Sequence, residues 1–170
     1  MKIMIASDIH GSGEYMKKLQ DAYKNSDAKR LVLLGDLLYH GPRNNLSDGY
    51  NPKAVIEILN SMKDELICVR GNCDTEVDQM VLDFPIMADY AVMAEEERLI
   101  YFTHGHKYGV YNFPNIKKGD VIIQGHTHIP MLEERDGILC VNPGSVSLPR
   151  GGSTHQCLLY DNFGFETVLL

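Results

Sequence analysis

The sequence predicts an α/β fold in which a sheet wound in parallel is joined by a second, more antiparallel sheet, with helices on the outer faces. Three observations predict it. Apolar runs alternate with amphipathic helical patterns in the first half, and β-rich runs with little helix between them fill the second half. A chain of 170 residues that is 44% hydrophobic and has no long polar tract also suits one compact unit, taken here as residues 1–170.

Lys2 to Ala6 reads as a strand because its apolar run is short and uninterrupted, and Glu14 to Lys24 comes next with the periodicity of an amphipathic helix. Arg30 to Leu34 is a second apolar strand. Pro52 to Met62 is a helix whose proline falls in the first turn, where its missing amide costs nothing. Leu66 to Val69 makes a third strand, so the order is βαβαβ. Beyond it, Leu99 to Thr103, Val121 to Gln124, Ile138 to Val141, Gln156 to Tyr160 and Glu166 to Leu169 are rich in β-type residues. No internal repeat or linker interrupts the chain.

The formal charge of −7 is scattered, so neither a polymeric nucleic acid nor an anionic membrane finds a basic face. The apolar run Ile3 to Ala6 is too short for a signal peptide or a membrane span. Cys68, Cys73, Cys140 and Cys157 show no CxxC spacing, so reduced thiols in the cytoplasm are expected.

The informative residues stand just beyond the strand ends. "IMIASDIHG" ends in Asp8 and His10, "LVLLGD" in Asp36, "LICVRGNCD" in Asn72 and Asp74, "LIYFTHGH" in His104 and His106, and "VIIQGHTH" in His126 and His128. Ligands of α/β sheets bind beyond the carboxyl ends of the strands, so these five loops can converge on one site. In extended backbone, side chains two apart point the same way, which lets Asp8 with His10, and His126 with His128, each face one centre. Each motif alone has a plainer reading, since an aspartate after a strand is often a turn or helix cap and a histidine is often a hydrogen-bonded structural residue. His155, in the polar stretch "GGSTHQ", is left in that class. Five motifs in one order, supplying carboxylate, amide and imidazole, are hard to explain as unrelated turns.

The set D8-I9-H10, G35-D36, G71-N72-C73-D74, H104-G105-H106 and G125-H126-T127-H128 resembles the calcineurin-like metallophosphoesterases. With "GDLLYHGPRN" and "NPGSVSLPRGG" the chain is similar, nearly end to end, to the small bacterial YfcE-type phosphodiesterases. The resemblance implies a four-layer α/β/β/α sandwich of two mixed β-sheets flanked by helices. It also implies a dinuclear metal-dependent phosphodiesterase that hydrolyses small phosphate esters by attack of a metal-bridging hydroxide. Position by position, it assigns Asp8, His10, Asp36 and His128 to one ion and Asp36, Asn72, His104 and His126 to the other, with Asp36 as the bridge. An oxygen and imidazole shell without thiolate suits Mn²⁺ first, with Zn²⁺ or Fe²⁺ as alternatives.

One position departs from the wider pattern. Many relatives carry histidine where this chain has Cys73, near the leaving-group oxygen. A neutral thiol is a weak donor, so diesters or activated esters are expected over ordinary monoesters. Cys73 is therefore the catalytic candidate, although a small side chain that merely fits its loop is an equal reading. It is not expected to be a metal ligand, because adjacent side chains in extended backbone diverge. Arg43 and His40, shortly after Asp36, are candidates to bind the non-reacting part of a small phosphodiester, with simple loop structure an equal reading. His106 either supports the second metal or only fills the rim, Arg150 is read as a solvated loop arginine in preference to a phosphate contact, and Asn142 to Ser145 is expected to close the site floor as a tight turn. The family often forms dimers or tetramers, and "CLLYDNFGFETVLL" suits such an interface or the core equally. A reading of another class also stands: a retromer subunit shares this fold and works chiefly as a protein-interaction scaffold, so fold alone does not establish hydrolysis.

Overall fold

The computed structural model describes residues 1–113 and 115–170. Two five-stranded sheets form its centre, ordered β10-β9-β1-β2-β3 and β4-β5-β6-β8-β7. The first contains β1 (Ile3–Ala6), β2 (Leu31–Leu33), β3 (Leu66–Cys68), β9 (Gln156–Asp161) and β10 (Gly164–Leu169). The second contains β4 (Tyr90–Glu95), β5 (Arg98–Thr103), β6 (Val121–Gln124), β7 (Met131–Arg135) and β8 (Ile138–Asn142).

The unbroken apolar runs of β1 and β2 reflect burial on both faces. Met4, Ala6, Leu31 and Leu33 join the cluster under the helices, while Ile3, Ile5, Val32 and Leu34 point the other way. There they meet Ile100, Phe102, Val121 and Ile123 of the second sheet, so the two sheets share one core. α1 (Gly13–Lys24) is capped by Ser12, whose side chain accepts from the Tyr15 amide, and buries Met16, Leu19 and Tyr23. α2 (Pro52–Ser61) starts at Asn51, which accepts from Ala54, and buries Val55 and Leu59. Both helices cover the outer face of the first sheet. On the outer face of the second sheet, Tyr101, Ile122 and Cys140 pack against Val110, Phe113 and Ile116 of a loop, where the four-layer arrangement expects a helix.

The second sheet is not the more antiparallel of the two. Both are mixed, with two parallel and two antiparallel pairings each: β1-β2-β3 and β5-β6-β8 pair in parallel, while β9 joins β1 and β10 antiparallel in the first sheet and β4 and β7 flank the second antiparallel. Parallel neighbours require a crossover, and the scarcity of helix in the second half argues against one. Here the loop after β5 and the strand β7 make the crossovers instead. β4 and β7 have no counterpart among the strands expected from sequence. β4 is written in Ala, Met and Glu, residues of strong helix propensity that are overridden by pairing with β5. β7 joins β8 through Asp136-Gly137, both at positive φ (53° and 81°), so an Asp-Gly hairpin signal is present.

Candidate metal centre

The carboxyl ends of β1, β2, β3, β5 and β6 meet at one edge of the two sheets, and the loops leaving them are laced together by their backbones. The amides of Asp8 and His10 donate to the carbonyls of Gly35 (3.1 Å) and Asp36 (2.9 Å), and the Gly125 amide donates to His104 (3.0 Å). Glycine is required where the loops touch. A Cβ on Gly71 would lie 2.1 Å from Asp36 Oδ1, and one on Gly125 would lie 1.9 Å from Ser7 Oγ and 2.8 Å from Asp8 Oδ2.

The pairs Asp8/His10 and His126/His128 do face one centre, but not because their backbone is extended. Asp8 (φ 60°), His10 (45°), Asp36 (56°), His126 (68°) and His128 (62°) all occupy the left-handed region. Each such non-glycine residue costs on the order of 1–3 kcal/mol and persists only where its surroundings over-determine it. Five in one place, on five of the seven candidate ligands, mark a site held together against local preference.

Their side chains converge in two groups. In one, His10 Nε2 lies 3.3 Å from His128 Nε2 and 3.6 Å from both Asp8 Oδ1 and Asp36 Oδ2, and His128 Nε2 lies 3.3 Å from Asp8 Oδ1. In the other, His104 Nε2 is 3.5 Å from Asp36 Oδ2, 3.0 Å from Asn72 Oδ1 and 3.2 Å from His126 Nδ1. Asp36 Oδ2 belongs to both groups. Its other oxygen accepts from the Cys73 amide at 2.8 Å, which fixes the carboxylate in this orientation.

Proton positions are set by the opposite side of each ring. His10 Nδ1 faces the Tyr39 carbonyl (2.8 Å), His104 Nδ1 faces Leu34 (2.7 Å) and His128 Nδ1 faces Leu148 (2.6 Å). A carbonyl only accepts, so these three nitrogens carry the protons and, in neutral rings, Nε2 is a lone pair. With neutral rings, lone pairs would then point at one another and at carboxylate oxygens across 3.3–3.6 Å, an arrangement that a proton or a metal cation between them relieves. Asp8 Oδ1 is buried and has no hydrogen-bond partner among the described residues. Such a cage is repulsive when empty and fits cations, and imidazoles anchored through Nδ1 to carbonyls are the usual arrangement around metals. Three sets of donor atoms, Asp8/His10/His128, Asp8/Asp36/His104 and His10/Asp36/Cys73, each lie within 4.8 Å of one another.

Electrostatics agree. Burial would raise the Asp8 carboxyl, but contact with His10 and His128 and the charge of His104 outweigh it and hold it well below the usual range. Burial would lower His10, yet Asp8, the Tyr39 carbonyl and Asp36 raise it. His126 is lowered by burial and by His104. Cys73 is pushed up to about 12 by burial and by Asp36, so its thiol is neutral. Its side chain does not diverge from Asn72, whose Nδ2 lies 3.3 Å from Cys73 Sγ. The chain bends at both residues rather than running extended. The thiol thus lines the site near His10 and Asp36.

A cleft of about 600 Å³ opens over these groups and is lined by Arg43, Arg150 and Cys73 among others. His40 is outside that lining. Its ring packs edge-on to Tyr39 (4.6 Å) and Tyr50 (5.5 Å), while the loop turns Arg43 inward. His106 is also outside that lining, an exposed ring 5.3 Å from that of His104. Asn142 to Ser145 does not line the cleft but braces the loops that do: Asn142 donates to the Gly125 carbonyl (2.9 Å) and Ser145 Oγ to that of Asp8 (2.8 Å). Sequence reasoning misses the role of Asp74. It accepts from the amides of Asp36 (2.8 Å), Leu37 (2.9 Å) and Gly71 (2.7 Å), and so clamps the β2 and β3 loops together.

The calcineurin-like phosphoesterase superfamily domain matches residues 1–162 of this sequence. The chain belongs to that superfamily. Within it, this phosphoesterase is 48% identical to Phosphodiesterase YfcE of Escherichia coli (strain K12) over 170 residues, 100% of this chain and 92% of the relative. The solved structure of that phosphoesterase superposes with a TM-score of 0.92, covering 95% of this chain and 89% of the other. Vps29 from Chaetomium thermophilum also superposes, with a TM-score of 0.64 at 17% identity over 98% and 96% of the two chains, a likeness of fold alone. Among the described residues, no helix is long and apolar enough to cross a membrane.

Proposed function

We infer that this metallophosphoesterase is a phosphodiesterase that works with two divalent ions, Mn²⁺ first, held as two groups around Asp36. The observation that supports this reading most is the convergence of imidazole nitrogens and carboxylate oxygens, with a buried, unpartnered Asp8 Oδ1, into a cage that bound cations would satisfy. Asp8, His10, Asp36 and His128 would hold one ion, and Asp36, Asn72, His104 and His126 the other. When bound, such ions supply Lewis acidity toward the phosphoryl oxygens and lower the pKa of a water ligand. The protein does the rest. The Nδ1 anchors aim the Nε2 atoms of His10, His104 and His128 inward, and Arg43 meets the substrate from the cleft wall. The Cys73 thiol stands where a proton donor for the leaving group is useful, but held near 12 it gives up its proton poorly. Activated or otherwise good leaving groups suit such a site, and so do diesters.

On the same reading the protein is one domain, in the cytoplasm with its four free cysteines, and a dimer or tetramer acting on a small phosphodiester. The scaffold alternative has less support, because a docking surface has no use for seven inward-facing metal-type ligands. Steady-state hydrolysis of bis(4-nitrophenyl) phosphate tests the choice. Turnover that depends on added Mn²⁺ is expected, and none with any divalent ion would favour the scaffold.

A further inference from the structure

The cleft over the metal centre has two kinds of charge. At its floor lies Asp36, buried and committed to the candidate ions. At its rim the charged side chains are Arg43, on the loop after β2, and Arg150, on the loop after β8. Arg150 Nη2 donates to Asn44 Oδ1 at 2.6 Å, which ties these two loops together and holds its guanidinium beside the segment carrying Arg43. Neither arginine has a carboxylate partner among the described residues, whereas Arg70, Arg98 and Arg135 each face a glutamate; Arg30, also without one, donates to the Lys29 carbonyl away from the cleft, so only Arg43 and Arg150 bring unpaired guanidinium groups to its lining. In a chain of net charge −7, two unpaired guanidinium groups at one cleft mouth need an explanation.

The reaction inferred above does not use them up. Two divalent ions bring four positive charges and Asp8 and Asp36 return two, leaving two for the attacking oxygen and a diester phosphate, one negative charge each. The floor is then neutral, and the rim pair is surplus for a plain diester. We propose that Arg43 and Arg150 form a second anion subsite, and that the substrate is a phosphodiester carrying a further phosphate monoester on one of its two alcohols. Guanidinium forks match phosphate geometry, and two of them balance a dianion. This subsite rests on the phosphodiesterase reading for its reaction but not for its binding.

The test compares 4-nitrophenyl alkyl phosphates, ethyl to pentyl, with the same esters bearing a terminal phosphate on the alkyl chain. At matched metal loading, the phosphorylated ester of best length is expected to show a kcat/KM higher by roughly 10- to 100-fold. That preference should shrink as salt is raised and collapse toward unity in the Arg43→Gln/Arg150→Gln double variant. Asn44→Ala, which frees Arg150, should lose part of it. Calorimetric affinities of the matching non-hydrolysable phosphonates give a second readout. Tighter binding of the charged phosphonate without hydrolysis of any ester would keep the subsite and reject the phosphodiesterase reading. Equal kcat/KM and equal affinity for charged and uncharged partners at every length, or a preference that survives in the double variant, would overturn the subsite.

Discussion

At the scale of single residues, Cys73 and His10 carry the sharpest expectations. A histidine at position 73 would be a donor with a pKa near neutrality, so Cys73→His should speed hydrolysis of alkyl esters more than that of nitrophenyl esters. General acid assistance is worth about 10²–10⁴-fold when aligned. Only part of that is expected, because the adjacent Asp74 carboxylate is occupied by the amides of Asp36, Leu37 and Gly71 and is not free to orient the new ring. Leaving-group dependence of kcat/KM measures it, and an equal loss for every ester with metal retained would reduce Cys73 to packing. His10 bears on pH. Its proton affinity in the metal-free protein is raised above the ordinary 6.5, so the stability it contributes is present below that pH and is lost as pH rises through the raised value. A metal ion replaces that proton. Divalent ions should therefore raise Tm more at about pH 8 than at about pH 6, and their binding should release protons. An equal Tm shift at both would contradict the exchange at His10.

At the scale of elements, five loops meet because their backbones are cross-bonded, and Asp74 is the strongest tie. Its two oxygens receive three buried amides from two loops. Asp74→Ala leaves those donors unsatisfied, so unfolding by denaturant should show a loss of about 3–5 kcal/mol, and retained metal should fall because Asp36 and Asn72 lose their alignment. A loss under about 1 kcal/mol with full metal content would show that the clamp is dispensable. The strands carrying the ligands are legible in sequence because each is a continuous apolar run buried on both faces, and the ligand motifs stand at their ends. The conformation of those motifs is not. Left-handed φ at Asp8, His10, Asp36, His126 and His128 has only a weak local signature, the tolerance of Asp and His for that region, and is selected by tertiary contact. β4 is hidden by its helix-forming residues, whereas the Asp136-Gly137 turn before β8 is a readable signal that the strand pattern alone does not use. The carbonyls of Tyr39, Leu34 and Leu148 that orient the imidazoles leave no trace in sequence, since every residue has one.

At the scale of the whole molecule, two mixed sheets share one core and bring strand ends from residue 8 to residue 128 to one edge, where six of the seven candidate ligands gather around the seventh, Asp36. On the reading proposed above, that edge is a two-ion centre with Asp36 as its common ligand. Metal content per chain, measured by plasma mass spectrometry after equilibration with Mn²⁺ and removal of free ion, tests it directly. The parent should retain close to two ions, His128→Ala should lose mainly one, and Asp36→Asn should lose both together with turnover. Parent protein that retains no metal, or Asp36→Asn protein with the parent's metal content and activity, would contradict a two-ion centre bridged by Asp36.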